Sequence, residues 1–301
     1  MTAGEAAVPA VEARALTKSY DGHQAVCGVD LDIRRGEIFA LLGPNGAGKT
    51  TTVEILEGYR QRDGGSVRVL GFDPARERSR LKPLIGIVLQ STGVEPYLTV
   101  RETVSMYAAY YPHPRPVDEV IELVGLMAQR DQRVVHMSGG QQRRLDMAIG
   151  LAGDPEMLFL DEPTTGFDPS ARREAWEVVK NLAALGKTVL LTTHYMDEAQ
   201  YLANRVAVMA AGRIVASGPP GSLGLRDRAA ARIRFRLAGG RAIPAGFTTH
   251  ADGFVEASVD DPVQVLHDVT GWALSNGLDL EGLEVMRPSL EDVYLQLTES
   301  S

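Results

Sequence analysis

The fold of this chain is decided by one stretch, Gly43-Pro44-Asn45-Gly46-Ala47-Gly48-Lys49-Thr50, which has the spacing G-x-x-x-x-G-K-[ST]. Glycines allow the backbone to curl until successive N–H groups point at phosphate oxygens, and a helix that begins there adds free donors and the positive end of its dipole. Lys49 can reach the β- and γ-phosphates, the Thr50 hydroxyl is a hard oxygen ligand suited to Mg²⁺, and Thr51 completes the predicted binding loop. The stretch therefore predicts a nucleoside triphosphate with Mg²⁺ as the substrate.

The residues on either side of this loop agree with it. Upstream, residues 38–42 form an unbroken apolar run, as expected for a parallel strand that is buried on both faces. Downstream, Val53, Leu56 and Tyr59 share one face of a helix predicted over residues 50–59. Strand, loop and helix in this order predict an α/β fold of the P-loop NTPase type, and a glycine-rich turn with a stray lysine is the alternative.

Three further apolar runs end in polar residues that could belong to the same site. Residues 84–89 stop at Gln90, residues 157–160 stop at Asp161 and Glu162, and residues 189–191 continue through two threonines into His194. Ligands of open α/β sheets bind outside the carboxyl ends of the strands, so these polar residues are predicted to share one site.

Each of these residues also has a simpler interpretation when it is read alone. Gln90 could be a solvated strand end, and Asp161 with Glu162 could be an N-cap pair before a helix that begins at Pro163. His194 could be an ordinary surface or core histidine. Together with the phosphate loop, the shared site is favoured for all of them.

Charge and ligand chemistry then predict a role for each residue. Mg²⁺ prefers a few oxygen ligands and retained waters, so Asp161 is its predicted carboxylate, directly or through water, and the Gln90 amide oxygen is a weaker ligand. Glu162 is predicted to accept a proton from, or to orient, the water that attacks the γ-phosphorus, and His194 to hydrogen-bond the departing phosphate. With Lys49, these residues form the predicted catalytic set.

A second glycine motif lies far from the first, at Ser138-Gly139-Gly140-Gln141-Gln142, directly before a helical stretch over residues 143–151. The serine hydroxyl and two unobstructed glycine amides at the start of a helix can form another anion-binding cradle. Read alone, the motif could be a plain N-cap and turn.

Taken together, the motifs resemble those of the nucleotide-binding subunits of ATP-binding cassette (ABC) transporters, from about residue 11 to the C-terminus. The matching elements follow the order of that family: the phosphate loop at 43–50, Gln90 of the Q-loop, the signature MSGGQ at 137–141, the Walker B run MLFLDEP at 157–163, the D-loop TGFD at 165–168, and His194 of the switch loop.

The resemblance implies that two subunits hold two ATP molecules between them, head to tail. Ser138 and Gly140 would then act on the nucleotide of the other subunit, and Asp168 would link the two sites across the interface. Tyr20 matches the aromatic residue that stacks on adenine in this family. A half-buried strand tyrosine is the alternative for that position.

Composition limits the function further. The length of 301 residues allows about two domains, and 44% of the residues are hydrophobic. No apolar run approaches the ~18 residues of a membrane span. A net charge of −8 argues against a nucleic-acid surface, which would carry clustered Lys and Arg. The single Cys27 excludes an internal disulfide. We expect a soluble chain that works at the cytoplasmic face of the cell membrane.

The predicted domains are a nucleotide-binding domain over 1–221 and a small α+β domain over 222–301. Within the first, the segment from Gln90 to Met137 interrupts the α/β pattern and begins a helical subdomain of about residues 91–150, with helices predicted over 100–111 and 117–127. The resemblance implies that this subdomain and Gln90 receive a membrane partner. Its tyrosines could belong to that dock or to the core, and they are Tyr107, Tyr110 and Tyr111.

After a linker signal at 218–221, the pattern predicts strands around 233–237 and 254–259, a helix over 262–275 and a strand over 278–285. The closing PSLEDVYLQLT at 288–298 opens a last predicted helix and resembles the tail of daunorubicin-resistance-type exporter subunits of the ABC-2 class. That resemblance implies export of a drug-like or lipid-like compound by a homodimer paired with a separate ABC-2-type membrane permease.

Two other functions are weighed against this one. A non-transport ABC ATPase that acts on nucleic acid or the ribosome would show coiled coils, a second cassette or a basic face, and the sequence shows none of them. A P-loop kinase or GTPase would have no use for the serine-glycine-glycine cradle. The sequence therefore favours an exporter ATPase with ATP and Mg²⁺ as its cofactors and without direct contact to nucleic acid.

Overall fold

A computed structural model describes residues 8–89, 93–223, 231–237, 243–250 and 253–286. The chain divides into two compact units between Pro219 and Pro220. Gln90 and the predicted helix at 288–298 lie outside the described residues. The strands of the first unit are Val11–Tyr20 (β1), His23–Ile33 (β2), Ile38–Leu42 (β3), Gly64–Val69 (β4), Ile85–Val88 (β5), Met157–Asp161 (β6), Thr188–Thr193 (β7), Arg205–Ala210 (β8) and Arg213–Gly218 (β9).

The central sheet of the first unit has six strands in the order β5-β6-β7-β3-β8-β9. Its pairs are parallel except for β8 with β9, which is antiparallel. Every residue of β3 and β7 is buried, as expected for strands that are covered on both faces. The carboxyl ends of β3, β6 and β7 lie side by side, so the residues that follow these strands lie at one edge of the sheet. The α/β prediction is confirmed.

A second, antiparallel sheet of three strands has the order β2-β1-β4. Its inner face carries Val11, Leu16 and Val29, which belong to a buried cluster that also contains Phe39 of β3 and Leu56. The two sheets of the first unit therefore share one hydrophobic core, and Ala47 of the phosphate-loop stretch belongs to it.

The helices of the chain are Lys49–Leu56 (α1), Arg78–Leu81 (α2), Val100–Ala108 (α3), Val117–Leu123 (α4), Gly139–Leu151 (α5), Pro169–Ala184 (α6), Met196–Leu202 (α7), Pro220–Leu223 (α8) and Pro262–Ser275 (α9). The predicted helices over 100–111 and 117–127 are present as the shorter α3 and α4. Thr99 begins α3 with a capping box that involves Glu102.

The second unit contains an antiparallel sheet in the order β11-β12-β10-β13. Its strands are Ala231–Leu237 (β10), Thr248–Thr249 (β11), Phe254–Val259 (β12) and Leu280–Met286 (β13). One face of the sheet carries Ile233, Phe235 and Val255, which pack with Val269 of α9. The predicted strands and the helix over 262–275 are confirmed, and the core of this unit is its own.

The predicted end of the first helix is wrong. Helix α1 ends at Leu56, and the side chain of Tyr59 is 73% exposed instead of lying on the buried face. Gly58 has a φ of 74°, which ends the helix, and the Tyr59 N–H turns back to the carbonyl of Glu54 at 2.8 Å. The turn therefore rotates Tyr59 away from the face that Val53 and Leu56 share.

Candidate functional site

The phosphate-loop stretch connects β3 to α1, and two of its glycines are required by close contacts. A side chain at Gly43 would collide with the carbonyl oxygen of Met209, and one at Gly48 would collide with the carbonyl oxygen of Ala25. Gly48 also has a φ of 99°, a left-handed conformation that other residues rarely adopt. Packing against β8 and β2 therefore requires glycine at these two positions, independently of the predicted binding role of the loop.

Lys49 lies inside the loop, and only 6% of the residue is exposed. Its Nζ donates to the carbonyl oxygens of Gly43 at 2.7 Å and Pro44 at 3.0 Å. Burial lowers the pKa of Lys49, whereas the negative charges of Glu162 and Asp161 act in the opposite direction. The ammonium group and the two carboxylates thus lie in one electrostatic environment, as the sequence predicts.

The two acidic residues lie at the end of β6, and the neighbouring strand β7 holds the carboxylate of Asp161 and the main chain of Glu162. The Thr192 hydroxyl donates to Oδ1 of Asp161 at 2.5 Å, and the N–H of Glu162 donates to the same hydroxyl at 3.0 Å. Both acidic residues are half-buried. No helix begins at Pro163, because α6 begins at Pro169, so the interpretation of Asp161 and Glu162 as an N-cap pair is wrong.

Glu162 and His194 contact each other at the edge of the sheet. Oε1 of Glu162 lies 3.2 Å from Nδ1 of His194, and its Oε2 accepts a hydrogen bond from the Thr165 hydroxyl at 3.1 Å. Glu162 has a φ of 47°, an uncommon conformation for a residue with a side chain and one that is concentrated at functional sites. The His194 side chain is 37% exposed, so this histidine is neither a core residue nor isolated from the carboxylate.

The second glycine motif begins α5. The Ser138 hydroxyl accepts a hydrogen bond from the N–H of Gln141 at 3.3 Å, and the Gln141 side chain accepts one from the N–H of Ser138 at 2.9 Å. Gly139 and Gly140 follow in the first turn, and a side chain at Gly139 would meet no atom within 4 Å. The motif is therefore a helix N-cap, and it leaves open space beside Gly139.

Asp168 lies beside this motif, and the two line one polar surface cleft. Its Oδ1 accepts from the N–H groups of Ser170 at 2.9 Å and Ala171 at 3.0 Å, which makes Asp168 the N-cap of α6. The lining of this cleft does not include Lys49 or Glu162. The predicted site residues on one chain therefore form two groups.

Tyr20 and Thr51 complete the predicted binding residues within the described part of the chain. Tyr20 is the last residue of β1, is half-buried, and has the cations of Lys18 and Arg60 at 5.4 and 5.2 Å from its ring centroid. Both interpretations of Tyr20 remain open. Thr51 is half-buried in the first turn of α1, and Thr50 beside it is exposed.

Two residues of the site were missed by reasoning from sequence. The Thr192 hydroxyl holds the Asp161 carboxylate and the backbone N–H of Glu162. Arg143 of α5 donates to the carbonyl oxygens of Asp161 at 2.9 Å and Glu162 at 3.3 Å. A signal existed for Thr192, because it lies near the carboxyl end of a buried strand, where ligands of open α/β sheets bind. No spacing in the sequence indicates Arg143, whose partners are backbone atoms distant along the chain.

Comparison with known proteins identifies the family of this chain. The family model described as "ABC transporter" matches residues 26–165. The chain is 37% identical over 305 residues to the daunorubicin/doxorubicin resistance ATP-binding protein DrrA of Streptomyces peucetius, an alignment that covers 96% of this chain and 92% of that protein. The chain belongs to the ABC transporter family. This ABC protein is also 37% identical over 307 residues to the Nod factor export ATP-binding protein I of Rhizobium sp. strain N33, with 96% of this chain and 97% of that protein covered.

Solved structures of ABC cassettes share the fold of the first unit. The cassette cbiO1 of Clostridium perfringens matches with a TM-score of 0.66 at 29% identity, over 72% of this chain and 91% of that one. A dimeric MJ0796 cassette bound to ADP and Pi matches with a TM-score of 0.62 at 25% identity, over 69% of this chain and 98% of that one. This ABC protein is an ATP-binding subunit that hydrolyses ATP, and the hydrolysis is coupled to transport. Within the described residues, no helix is both long and apolar enough to cross a membrane.

The donor atoms near the loop of this ABC ATPase suit a magnesium ion that is shared with a nucleotide. Among the residues that the structure describes, no group of three or more His, Cys, Asp or Glu side chains could hold a metal ion alone. Mg²⁺ in nucleotide sites takes one or two protein oxygens, with phosphates and water supplying the rest. The exposed Thr50 hydroxyl and the Asp161 carboxylate match that donor set.

Proposed function

We propose that this chain powers export of a drug-like or lipid-like compound through a separate ABC-2-type membrane permease, as a homodimer at the cytoplasmic face of the cell membrane. The names of the relatives, which include daunorubicin resistance and Nod factor export, support this proposal. Their alignments extend over 96% of this chain, so the similarity includes the region after residue 221. The observation that carries the proposal is the meeting of Lys49, Glu162 and His194 at one edge of the sheet.

In the proposed reaction, Glu162 orients the attacking water or accepts its proton. Its contact with His194 at 3.2 Å supports a shared role, because a histidine at that distance can hold the carboxylate and hydrogen-bond the departing phosphate. Lys49 stabilises the charge on the β- and γ-phosphates. Thr50 and Asp161 would hold Mg²⁺, which supplies charge neutralisation on the phosphates, and Gln90 is predicted as a weaker ligand.

We also propose that the signature motif acts on the nucleotide of a second copy of this chain. Ser138, Gly139, Gly140 and Gln141 line a cleft with Asp168, and Lys49 does not line that cleft. Two complementary half-sites on one chain suit a head-to-tail dimer, in which each cleft completes the phosphate loop of the other copy. The matching structure of the MJ0796 cassette is dimeric, which is consistent with this arrangement.

The proposed domains keep the boundaries that the sequence predicts, with 1–221 as the nucleotide-binding domain and 222–301 as an accessory domain. We propose that a groove beside α3 receives the membrane partner. Tyr59 and Tyr110 line this groove and are 73% and 78% exposed, so two large aromatic side chains are accessible to a partner there. Tyr107 and Tyr111 line it as well and are half-buried.

The alternative, an ABC ATPase acting on nucleic acid or the ribosome, finds less support. A net charge of −8 opposes binding to a phosphate backbone, which depends on clusters of Lys and Arg. No direct contact with nucleic acid is therefore proposed.

The proposal can be tested with tagged full-length chains purified from host membranes. We expect the wild type to hydrolyse ATP and to co-purify with a membrane protein of several spans. Glu162→Gln should bind ATP with unchanged affinity, lose turnover by roughly 100-fold or more, and remain a dimer in ATP. Lys49→Ala should bind ATP at least about tenfold more weakly, because a phosphate-binding charge is lost.

Lys187→Ala is the matched control for the lysine variant. Lys187 pairs with Asp154 at 2.9 Å outside the site, so its loss should change neither affinity nor turnover. Near-normal hydrolysis by Glu162→Gln would refute the role of that carboxylate. Recovery of the chain with ribosomes or nucleic acid, and with no membrane protein, would favour the alternative function.

A further inference from the structure

Arg143 occupies a buried position beneath the two acidic residues. Only 7% of the residue is exposed, and its guanidinium group donates to four backbone carbonyls. Nε donates to Pro163 at 3.1 Å, Nη2 donates to Asp161 at 2.9 Å and to Glu162 at 3.3 Å, and Nη1 donates to Leu89. One side chain therefore binds three successive residues at the end of β6 and the residue that precedes Gln90.

These carbonyls lie where the strands end and regular backbone pairing stops. The segment turns sharply at Glu162, whose φ of 47° is unfavourable for a residue with a side chain. Buried carbonyl oxygens without a donor would add a further cost. The planar guanidinium group carries five donors in a fixed fork, so it can satisfy all four carbonyls at once, whereas an ammonium group has only three donors.

Asp146, one turn further along α5, provides the counter-charge. Its Oδ2 lies 3.6 Å from Nη1 of Arg143, and both residues are buried. Burial raises the pKa of Asp146 to about 6, and the charge of Arg143 acts in the opposite direction. A buried ion pair rarely adds much stability over apolar packing, and such pairs are often kept because they fix one geometry.

Helix α5 thereby connects two parts of the site. Ser138 is its N-cap and Gly140 lies in its first turn, and both are proposed to act on the nucleotide of the other subunit. Arg143 follows in the second turn. A shift of this helix would move the carbonyls of Asp161 and Glu162 with it, because the guanidinium group holds both.

We propose that Arg143 is a positioning residue for ATP hydrolysis, which fixes the main chain that carries Asp161 and Glu162 and links it to the signature helix. This inference rests on the function proposed above. Arg143 itself does not touch the reacting atoms. It acts through the orientation of Glu162, so its loss should affect the chemical step and spare nucleotide binding.

The test compares Arg143→Lys with the wild type in the full-length chain. Lysine keeps the charge beside Asp146 but loses the fork. We expect kcat to fall by about 10-fold to 100-fold, because misplacement of a catalytic group by about 1 Å has effects of that size. The Kd for ATP, measured with a fluorescent ATP analogue, should change by less than about twofold, since Lys49 and the loop remain in place.

Arg115→Lys is the matched control. Arg115 pairs with Asp154 at 2.8 Å, away from the acidic residues, and should keep the kcat of the wild type. A kcat of Arg143→Lys within twofold of the wild type would overturn the inference, and so would parallel losses of kcat and ATP affinity. If Arg143→Lys does not fold, Asp146→Asn decides: a kcat at least about threefold lower at unchanged Kd supports the inference, and an unchanged kcat overturns it.

The outcome can be separated from a failure of the proposed function. If Glu162→Gln abolishes turnover while Arg143→Lys leaves it intact, only the positioning role is wrong. If Glu162→Gln retains turnover, the assignment of the catalytic carboxylate is wrong, whatever Arg143→Lys does.

Discussion

Thr192 is the residue through which strand β7 holds the acidic pair. It is 1% exposed, and its hydroxyl bonds both Asp161 and the N–H of Glu162. Thr188, at the other end of the same strand, is 2% exposed and accepts a hydrogen bond from the N–H of Gly36 at 3.0 Å. The strand therefore offers two buried threonines that differ mainly in their distance from the site.

Thr192→Val should lower kcat by about tenfold or more and the free energy of unfolding by about 1–3 kcal/mol, because Asp161 and Glu162 lose a shared partner. Thr188→Val should cost a similar amount of stability and leave kcat within about twofold. Steady-state ATPase assays and urea denaturation of both variants check this. Equal losses of kcat in the two variants would show that general destabilisation, and not positioning of the carboxylates, explains the effect.

Glu57, the C-cap of α1, is a second residue with a measurable consequence. It is 6% exposed, and burial, aided by the charges of Asp161 and Glu54, raises its pKa to about 8 from the ordinary value of 4.5. The folded chain therefore keeps a proton that the unfolded chain releases between these two pH values. Folding stability should therefore fall as the pH rises from about 4.5 to about 8. Above pH 8 the loss of stability should be complete and no longer change with pH.

Glu57→Gln removes this titration. Its free energy of unfolding should rise relative to that of the wild type by up to about 1.4 kcal/mol per pH unit between about pH 5 and about pH 8. Thermal or urea denaturation of both proteins across this range measures the difference. A stability difference that does not vary with pH would mean that the carboxyl group is solvated in the folded chain.

At the scale of the elements, the sequence predicts the bounds of a strand or helix well wherever a local pattern decides them. Strand β3 was predicted at its observed bounds because an unbroken apolar run between turns has few other solutions. Helix α9 was predicted at 262–275, and in the structure Asp261 caps it before a proline. Helix α1 ends three residues before the predicted end. There, the spacing of Tyr59 suits a helix, but the left-handed Gly58 packs against Pro74, and that tertiary contact decides the end of the helix.

The motif residues of the site were predictable for the same reason, because each follows a strand or begins a helix. Residues whose side chains bind distant elements of the fold could not be predicted from the sequence. Glu198 of α7 is fully buried and accepts hydrogen bonds from Thr164 at 2.7 Å and from Trp176 of α6 at 3.0 Å. It thereby connects the helix after His194 to the segment after Glu162. Its partners lie 34 and 22 positions away, and no spacing rule relates them.

At the scale of the whole molecule, the chain is built as two units with separate cores. No strand that the structure describes in the second unit joins a sheet of the first, and the apolar cluster around Phe235 consists of residues of the second unit. We propose that this accessory domain stabilises the dimer or restrains access of nucleotide. The first unit should therefore fold without it.

Deletion of residues 222–301 should leave a folded chain that binds ATP, because both sheets of the first unit keep all their described strands. The ATP-dependent dimer should weaken by about tenfold or more, equivalent to about 1.4 kcal/mol, or the ATPase rate should rise if access was restrained. Light scattering in ATP and steady-state assays measure the two effects. Phe235→Asp, which places a charge in the core of the second unit, should reproduce the deletion if the folded domain is what matters. A truncated chain with the dimerisation and ATPase rate of the full chain would leave the accessory domain without either role.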